Sequence, residues 1–142
     1  MSAVKHFREL RIYRDAFKLA MQIFEASKTW PAEEKYSLTD QIRRSSRSVC
    51  EQIAEGWRKR RYIAHFRSKL TDADSEAAET QSWLDFALKC GYITEHFHNE
   101  LDQDYEKVSG GLVNMINGTD KWCFSKNNVR EESTEYGTSQ DL

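Results

Sequence analysis

Apolar and small residues recur at helical spacing in four separate stretches of this chain. The clearest covers residues 38–56, where Leu38, Ile42, Ser45, Val49, Ile53 and Gly56 step by four, three, four, four and three. Such steps place side chains on one face of a helix with 3.6 residues per turn. Ser45 and Gly56 are the small members of that face, and a residue without bulk lets a neighbouring backbone come close. A first helix is predicted from about Glu9 to Ser27, with Tyr13, Ala16, Phe17, Ala20, Ile23 and Phe24 on its apolar face. Thr29, Trp30 and Pro31 break it, because proline cannot continue a helix and restrains the residue before it. The second helix starts near residues 32–34, where Glu33 and Glu34 suit the positive end of the helix dipole. It ends at Gly56 or Trp57, with the glycine read as a C-terminal stop. The third runs from about Tyr62 to Cys90 on Tyr62, Phe66, Leu70, Ala73, Ala77, Leu84 and Leu88, and Gly91 caps it. The fourth follows Thr94, a side chain suited to an N-cap, and carries Phe97, Leu101, Tyr105, Val108, Leu112 and Met115. Asn117 and Gly118 end it. Gly110 and Gly111 lie inside it at a cost of about 1 kcal/mol each relative to alanine, which predicts close packing or a bend.

Four amphipathic helices on short links predict an all-α, up-down-up-down antiparallel four-helix bundle over residues 1–118. Residues 119–142 are polar and aperiodic and read as a disordered tail. Trp122 and Phe124 are the residues that would pin the start of that tail to the bundle. The 142 residues make a one-domain length, and a domain of this size buries roughly two-thirds of its unfolded surface.

Charge changes the picture. The chain carries a net charge of −2, but residues 42–69 hold nine Lys or Arg against Glu51 and Glu55 alone, a local +7. Arg43, Arg47, Arg58, Lys59, Arg60, Arg61, Arg67 and Lys69 form a candidate phosphate-binding set for RNA or DNA. The competing reading pairs Arg47 with Glu51 and Glu55 with Lys59, and makes the remainder a solvated face or a subunit contact. The four basic residues that follow Trp57 also suit the negative end of a helix dipole. Gln41, Arg44, Glu55 and Glu79, with Gly56 at a close contact, are expected to form a structural polar network between helices or subunits.

The other chemistry-bearing residues point away from catalysis. Cys50, Cys90 and Cys123 lack the spacing of a disulfide framework or zinc site and read as reduced thiols, which places the protein in a cytoplasm. Cys50 reads as a small apolar filler. His96 and His98 are two apart, which points their rings away from each other on a helix, so no metal site is expected. No nucleophile–base pair or glycine-rich phosphate loop accompanies them, so neither an enzyme, nor a cofactor, nor a small-molecule substrate is expected. The first residues form no signal peptide and no apolar run is long enough for a membrane. Trp57, beside the basic run, is the tryptophan best placed to stack on a base.

The central motif Gln41-Ile42-Arg43-Arg44, Ser48, Ile53-Ala54-Glu55-Gly56 and Arg60 resembles that of the small four-helix-bundle proteins first noticed in intervening sequences of 23S ribosomal RNA genes. The likeness extends upstream through Trp30, Pro31, Glu34, Tyr36 and Leu38. Downstream it continues through Phe66, Leu70, Ala73, Glu79, Leu84, Ala87 and Gly91-Tyr92-Ile93, so that it covers roughly residues 7–116. Ser75-Glu76 stands where that family usually has Gly-Ser, and Arg61 where a small residue is common. The resemblance implies a bundle, often a ring-shaped homopentamer, with no assigned activity. A related bundle protein of diversity-generating retroelements is basic, pentameric, and binds nucleic acid and a reverse transcriptase. Taken together, the expectation is a non-enzymatic homo-oligomer that binds nucleic acid, with a structural protein adaptor as the alternative.

Overall fold

All six positions of the central stripe are buried, and Ile42, Val49 and Ile53 are wholly shielded from solvent. The computed structural model describes residues 3–124. Four long helices carry it: α1 (Arg11–Ser27), α2 (Asp40–Arg58), α3 (Ile63–Lys89) and α4 (Glu95–Asn117). A one-turn α5 (Thr119–Trp122) follows, and there is no strand among the described residues. The predicted tail beyond residue 124 lies outside the described residues.

Neighbouring helices touch in opposed register. Ser45 of α2 meets Thr80 of α3 at 2.8 Å, whereas Glu55 near the end of α2 meets Lys69 near the start of α3, also at 2.8 Å. Along α3 and α4, Asp85 meets His98, Gln81 meets Asp102, and Asp74 meets Ser109. α1 packs on α2, with Arg43 bonded to Ser27, and on α4, with Ile12 against Gly111. The residues enclosed between the four are mainly Leu, Ile, Val and Ala, together with Phe66, Tyr105, Cys50 and Met115.

The stripes on α2 and α4 lie where the spacing puts them; those on α1 and α3 shift. Phe17 sits at the rim of the buried arc, half exposed beside the Tyr13 ring, and Leu19 fills the core instead. Tyr62 precedes α3 in extended backbone and is exposed. Thr80 fills the gap in the α3 stripe between Ala77 and Leu84, its hydroxyl donating to the Glu76 carbonyl at 2.8 Å.

The helix ends follow local chemistry. Gly91 takes φ +80°, with its N–H bonded to Leu88 and that of Tyr92 to Ala87, which is the Schellman pattern of a helix closed by glycine. The Thr94 hydroxyl accepts from the Phe97 N–H and opens α4. Between α1 and α2 the chain makes a 3-10 turn (Ala32–Glu34) and a wider π turn (Lys35–Thr39) before α2 begins. Trp30 is buried there beside the Tyr92 ring.

Gly56 does not stop α2, which continues to Arg58 in ordinary helical backbone. Its role is spatial. A Cβ there would lie 3.1 Å from Leu70 Cδ2 and 3.3 Å from Lys69 Cβ, so glycine sets how closely α2 and α3 pack. Gly111 does the same between α4 and α1, since a Cβ there would lie 2.5 Å from Ile12 Cγ2. Gly110 has open space around it.

The folded body runs six residues past the Gly118 boundary that composition suggested. Trp122 stands edge-on to Trp57 with ring centroids 6.1 Å apart, Cys123 is buried, and the Phe124 N–H bonds to the Arg60 carbonyl. Apolar side chains at 122–124 supply the anchoring surface that the polar residues around them lack.

Candidate nucleic-acid interface

The α2–α3 turn, residues 59–62, holds the densest charge in the sequence, and the fold gives its members different tasks. Arg60 is tied inward. Its Nε donates to the Trp57 carbonyl at 2.8 Å, and its guanidinium lies 3.5 Å from the Trp57 ring centroid and 4.8 Å from that of Phe124. Arginine suits such a place because a planar, weakly hydrated cation stacks on aromatic faces. Trp57 is thereby enclosed by Arg60 and Trp122 and buried, so it offers no platform to a base. Arg58 and Lys59 are exposed and Arg61 is half-buried.

Four more of the predicted phosphate ligands are engaged elsewhere. Lys69 pairs with Glu55 at 2.8 Å, and that carboxylate's hydrogen bond raises the Lys69 pKa. Arg67 donates to the Ile116 carbonyl at 3.5 Å, across the end of α4. Arg43 donates to the Ser27 hydroxyl at 2.8 Å and lies over the Phe24 ring, with Arg47 5.6 Å from the same ring. Arg43 and Arg58 are separated by fifteen residues of α2, roughly 22 Å along its axis at 1.5 Å per residue, so the arginine row is two groups rather than one patch.

Two cations that no linear window could reveal join the turn. Arg8 lies 4.8 Å from the Phe7 ring centroid and Arg58 approaches the same ring at 6.0 Å. Lys121 on α5 stands by Trp122. This end of the bundle therefore gathers Arg8, Arg58, Lys59, Arg60, Arg61, Arg67 and Lys121, with Glu9 and Asp120 among them. Glu9 is already committed: it accepts the backbone N–H groups of Lys5 and His6 at 2.7 Å each, and its pKa is lowered. The opposite end, where Trp30 meets Tyr92, carries Glu33, Glu34, Asp40, Asp85, Glu95 and Glu100 against Lys28, Lys35 and Lys89.

Within a single chain the expected polar network does not assemble. Gln41 bonds to the Tyr36 carbonyl within its own segment, and Glu55 sits about 21 Å further along α2 with Lys69. Arg44 is exposed and has no ion pair among the described residues. Glu79 hydrogen-bonds Glu76 on the same helix; burial first, and that bond second, raise the Glu76 pKa, while Ser48 of α2 opposes the rise. What links α2 to α3 inside is instead the Ser45–Thr80 hydroxyl pair, which an apolar stripe conceals in sequence.

His96 and His98 turn to different partners, Glu100 at 3.6 Å and Asp85 at 2.7 Å. Both nitrogens of the His98 ring meet acceptors, Asp85 and Asn99. Burial depresses its pKa, but the hydrogen bonds to Asp85 and Asn99 outweigh that and leave it raised. Burial pushes the Cys50 thiol up to about 12, which suits a filler rather than a nucleophile. All three cysteines are free. Among the described residues no helix is long and apolar enough to cross a membrane.

The class defined by these features is a small all-helical protein with one strongly basic end. The family model described as 23S rRNA-intervening sequence protein matches residues 8–114, and the chain belongs to that family. A solved structure of a protein of unknown function from the S23 ribosomal protein family of Bacteroides thetaiotaomicron superposes with a TM-score of 0.66. The two share 26% identity over 75% of this chain and 95% of that one. No curated protein matches the chain.

Proposed function

We propose that the protein is a non-enzymatic, oligomeric binder of nucleic-acid backbones, acting through the basic end of its bundle. The observation that carries this reading is the convergence of Arg8, Arg58, Lys59, Arg61 and Lys121, from three separate parts of the chain, on the pole opposite the acidic one. Cations that meet phosphates without reaching base edges bind with little sequence preference and steep salt dependence. Replacing Arg58, Lys59 and Arg61 together by Gln is expected to weaken binding to mixed RNA or DNA. The log–log salt slope should fall by about 0.7–0.9 for each phosphate no longer neutralised, hence by roughly 2–3 in all. Arg60 stays in place because it supports the fold. Arg44→Gln, an exposed change at the other end of α2, serves as the control. If the unmodified protein gives no gel shift at about 50 mM salt, where phosphate binding is strongest, the adaptor reading replaces this one.

The oligomer is proposed from the large apolar side chains left outside the core, among them Phe17, Met21, Ile63 and Phe86. Side chains of this kind commonly mark contact surfaces. Five subunits is the number that the family resemblance implies, and a ring would repeat the basic end once per subunit. Light scattering at micromolar concentration should give a multiple of 16.7 kDa; a single-subunit mass would remove the oligomer from the proposal.

A further inference from the structure

We propose that the acidic run of the C-terminal segment, Glu131, Glu132 and Glu135, docks on the basic end of its own bundle and competes there with polyanions. The proposal rests on the reading of that end as an anion-binding surface. Its first support is where the chain leaves the bundle. Phe124 is held to the α2–α3 turn twice, through its N–H to the Arg60 carbonyl at 3.4 Å and through its ring, 4.8 Å from the Arg60 guanidinium. Cys123 beside it is buried, and both Arg60 and Arg67 lower its pKa against the larger effect of burial. The segment that follows thus departs from the same few ångströms of surface that present Arg58, Lys59 and Arg61.

The second support is charge. The segment 125–142 carries Glu131, Glu132, Glu135 and Asp141 against Lys126 and Arg130, and this alone accounts for the chain's net −2. Its two cations, Lys126 and Arg130, precede the acidic run in the chain. Glu131 is seven residues from Phe124, and seven residues reach at most roughly 23–25 Å. Two packed helices lie about 8–10 Å apart, so the run can return to the exposed cations on the same end without straining the anchor. A ligand tethered this closely has an effective concentration in the millimolar range, which lets a weak ion cluster be occupied most of the time. Occupied about 70–90% of the time, it would lower the apparent affinity for an external polyanion about 3–10-fold.

The test uses the full chain. A zero-length carbodiimide reaction at low salt, read by mass spectrometry, should join Lys59 or Lys121 to Glu131, Glu132 or Glu135. The yield should not change with protein concentration. The Glu131→Gln, Glu132→Gln, Glu135→Gln variant should lose these links and bind a short mixed-sequence RNA about 3–10-fold more tightly, as release of the competitor requires. Absence of the links, links whose yield rises with protein concentration, or RNA affinity unchanged in the variant each overturn the proposal. Concentration-independent links in a protein that binds no RNA would uphold the docking while removing the nucleic-acid reading, because the cross-link needs no nucleic acid.

Discussion

Trp57→Ala is expected to lower stability by about 3–5 kcal/mol, the usual cost of emptying a buried aromatic site. Trp57 is only 3% exposed although it stands one residue from the end of α2. Its ring packs against Arg60, which in turn faces Phe124, and against Trp122, so its removal leaves a void and also strips Arg60 and Trp122 of their partner. For a domain of this length the loss corresponds to a fall in melting temperature of about 10–20 °C. Trp57→Phe, which keeps an aromatic face for Arg60 but not the full volume, should fall between the two. Urea unfolding followed by circular dichroism measures all three, and a loss under about 1 kcal/mol for Trp57→Ala, the size of an ordinary surface change, would show that the stack is dispensable.

The two adjacent glycines of α4 should respond to the same substitution with opposite signs. At Gly110 a methyl group meets nothing within 4 Å, so Gly110→Ala removes only the entropic handicap of glycine in a helix and should stabilise by about 0.5–1 kcal/mol. At Gly111 the methyl would lie 2.5 Å from Ile12 Cγ2. Ile is β-branched and holds one χ1 rotamer in a helix, so it cannot swing clear and α1 must back away from α4. Gly111→Ala is expected to destabilise by about 1–3 kcal/mol, as overpacking does. Melting curves of the two single variants decide it; shifts of the same sign would mean that α1 and α4 tolerate separation here. Ile12→Ala should rescue Gly111→Ala in part, since it removes the atom that the new methyl meets.

The parts of this architecture legible in the sequence are those encoded within one helix. Periodicity located the four helices and the buried faces of α2 and α4, and Gly91 and Thr94 announced the ends they form. Properties that depend on two elements at once were not legible. Gly56 looks like a terminator in a linear reading, because nothing in its window tells that Leu70 will press on it. The arginine row looks continuous, yet Arg43 serves α1, Arg60 serves a stack with Phe124, and Lys69 serves Glu55. Arg8 lies fifty residues from Arg58 and meets it only through Phe7. The anchoring aromatics Trp122 and Phe124 were visible as residues, but their partners, Trp57 and Arg60, were not.

The placement of acidic residues at one end and basic residues at the other has a consequence for how the molecule moves. Residues 3–124 carry no net charge once the segment beyond them is set aside, but the separation of their charges along the bundle makes a large electric dipole. A neutral body with a dipole does not drift in a field, but it turns in one. Near a polyanion it would rotate its basic pole forward before touching, within the roughly 8 Å over which charges are felt at physiological salt. Orientation of this kind raises the fraction of encounters that arrive correctly aligned, and does so without strengthening the final complex. The same dipole draws the basic pole of one copy to the acidic pole of another. Added salt should therefore disperse the protein rather than precipitate it, a salting-in behaviour that the modest net charge alone would not suggest.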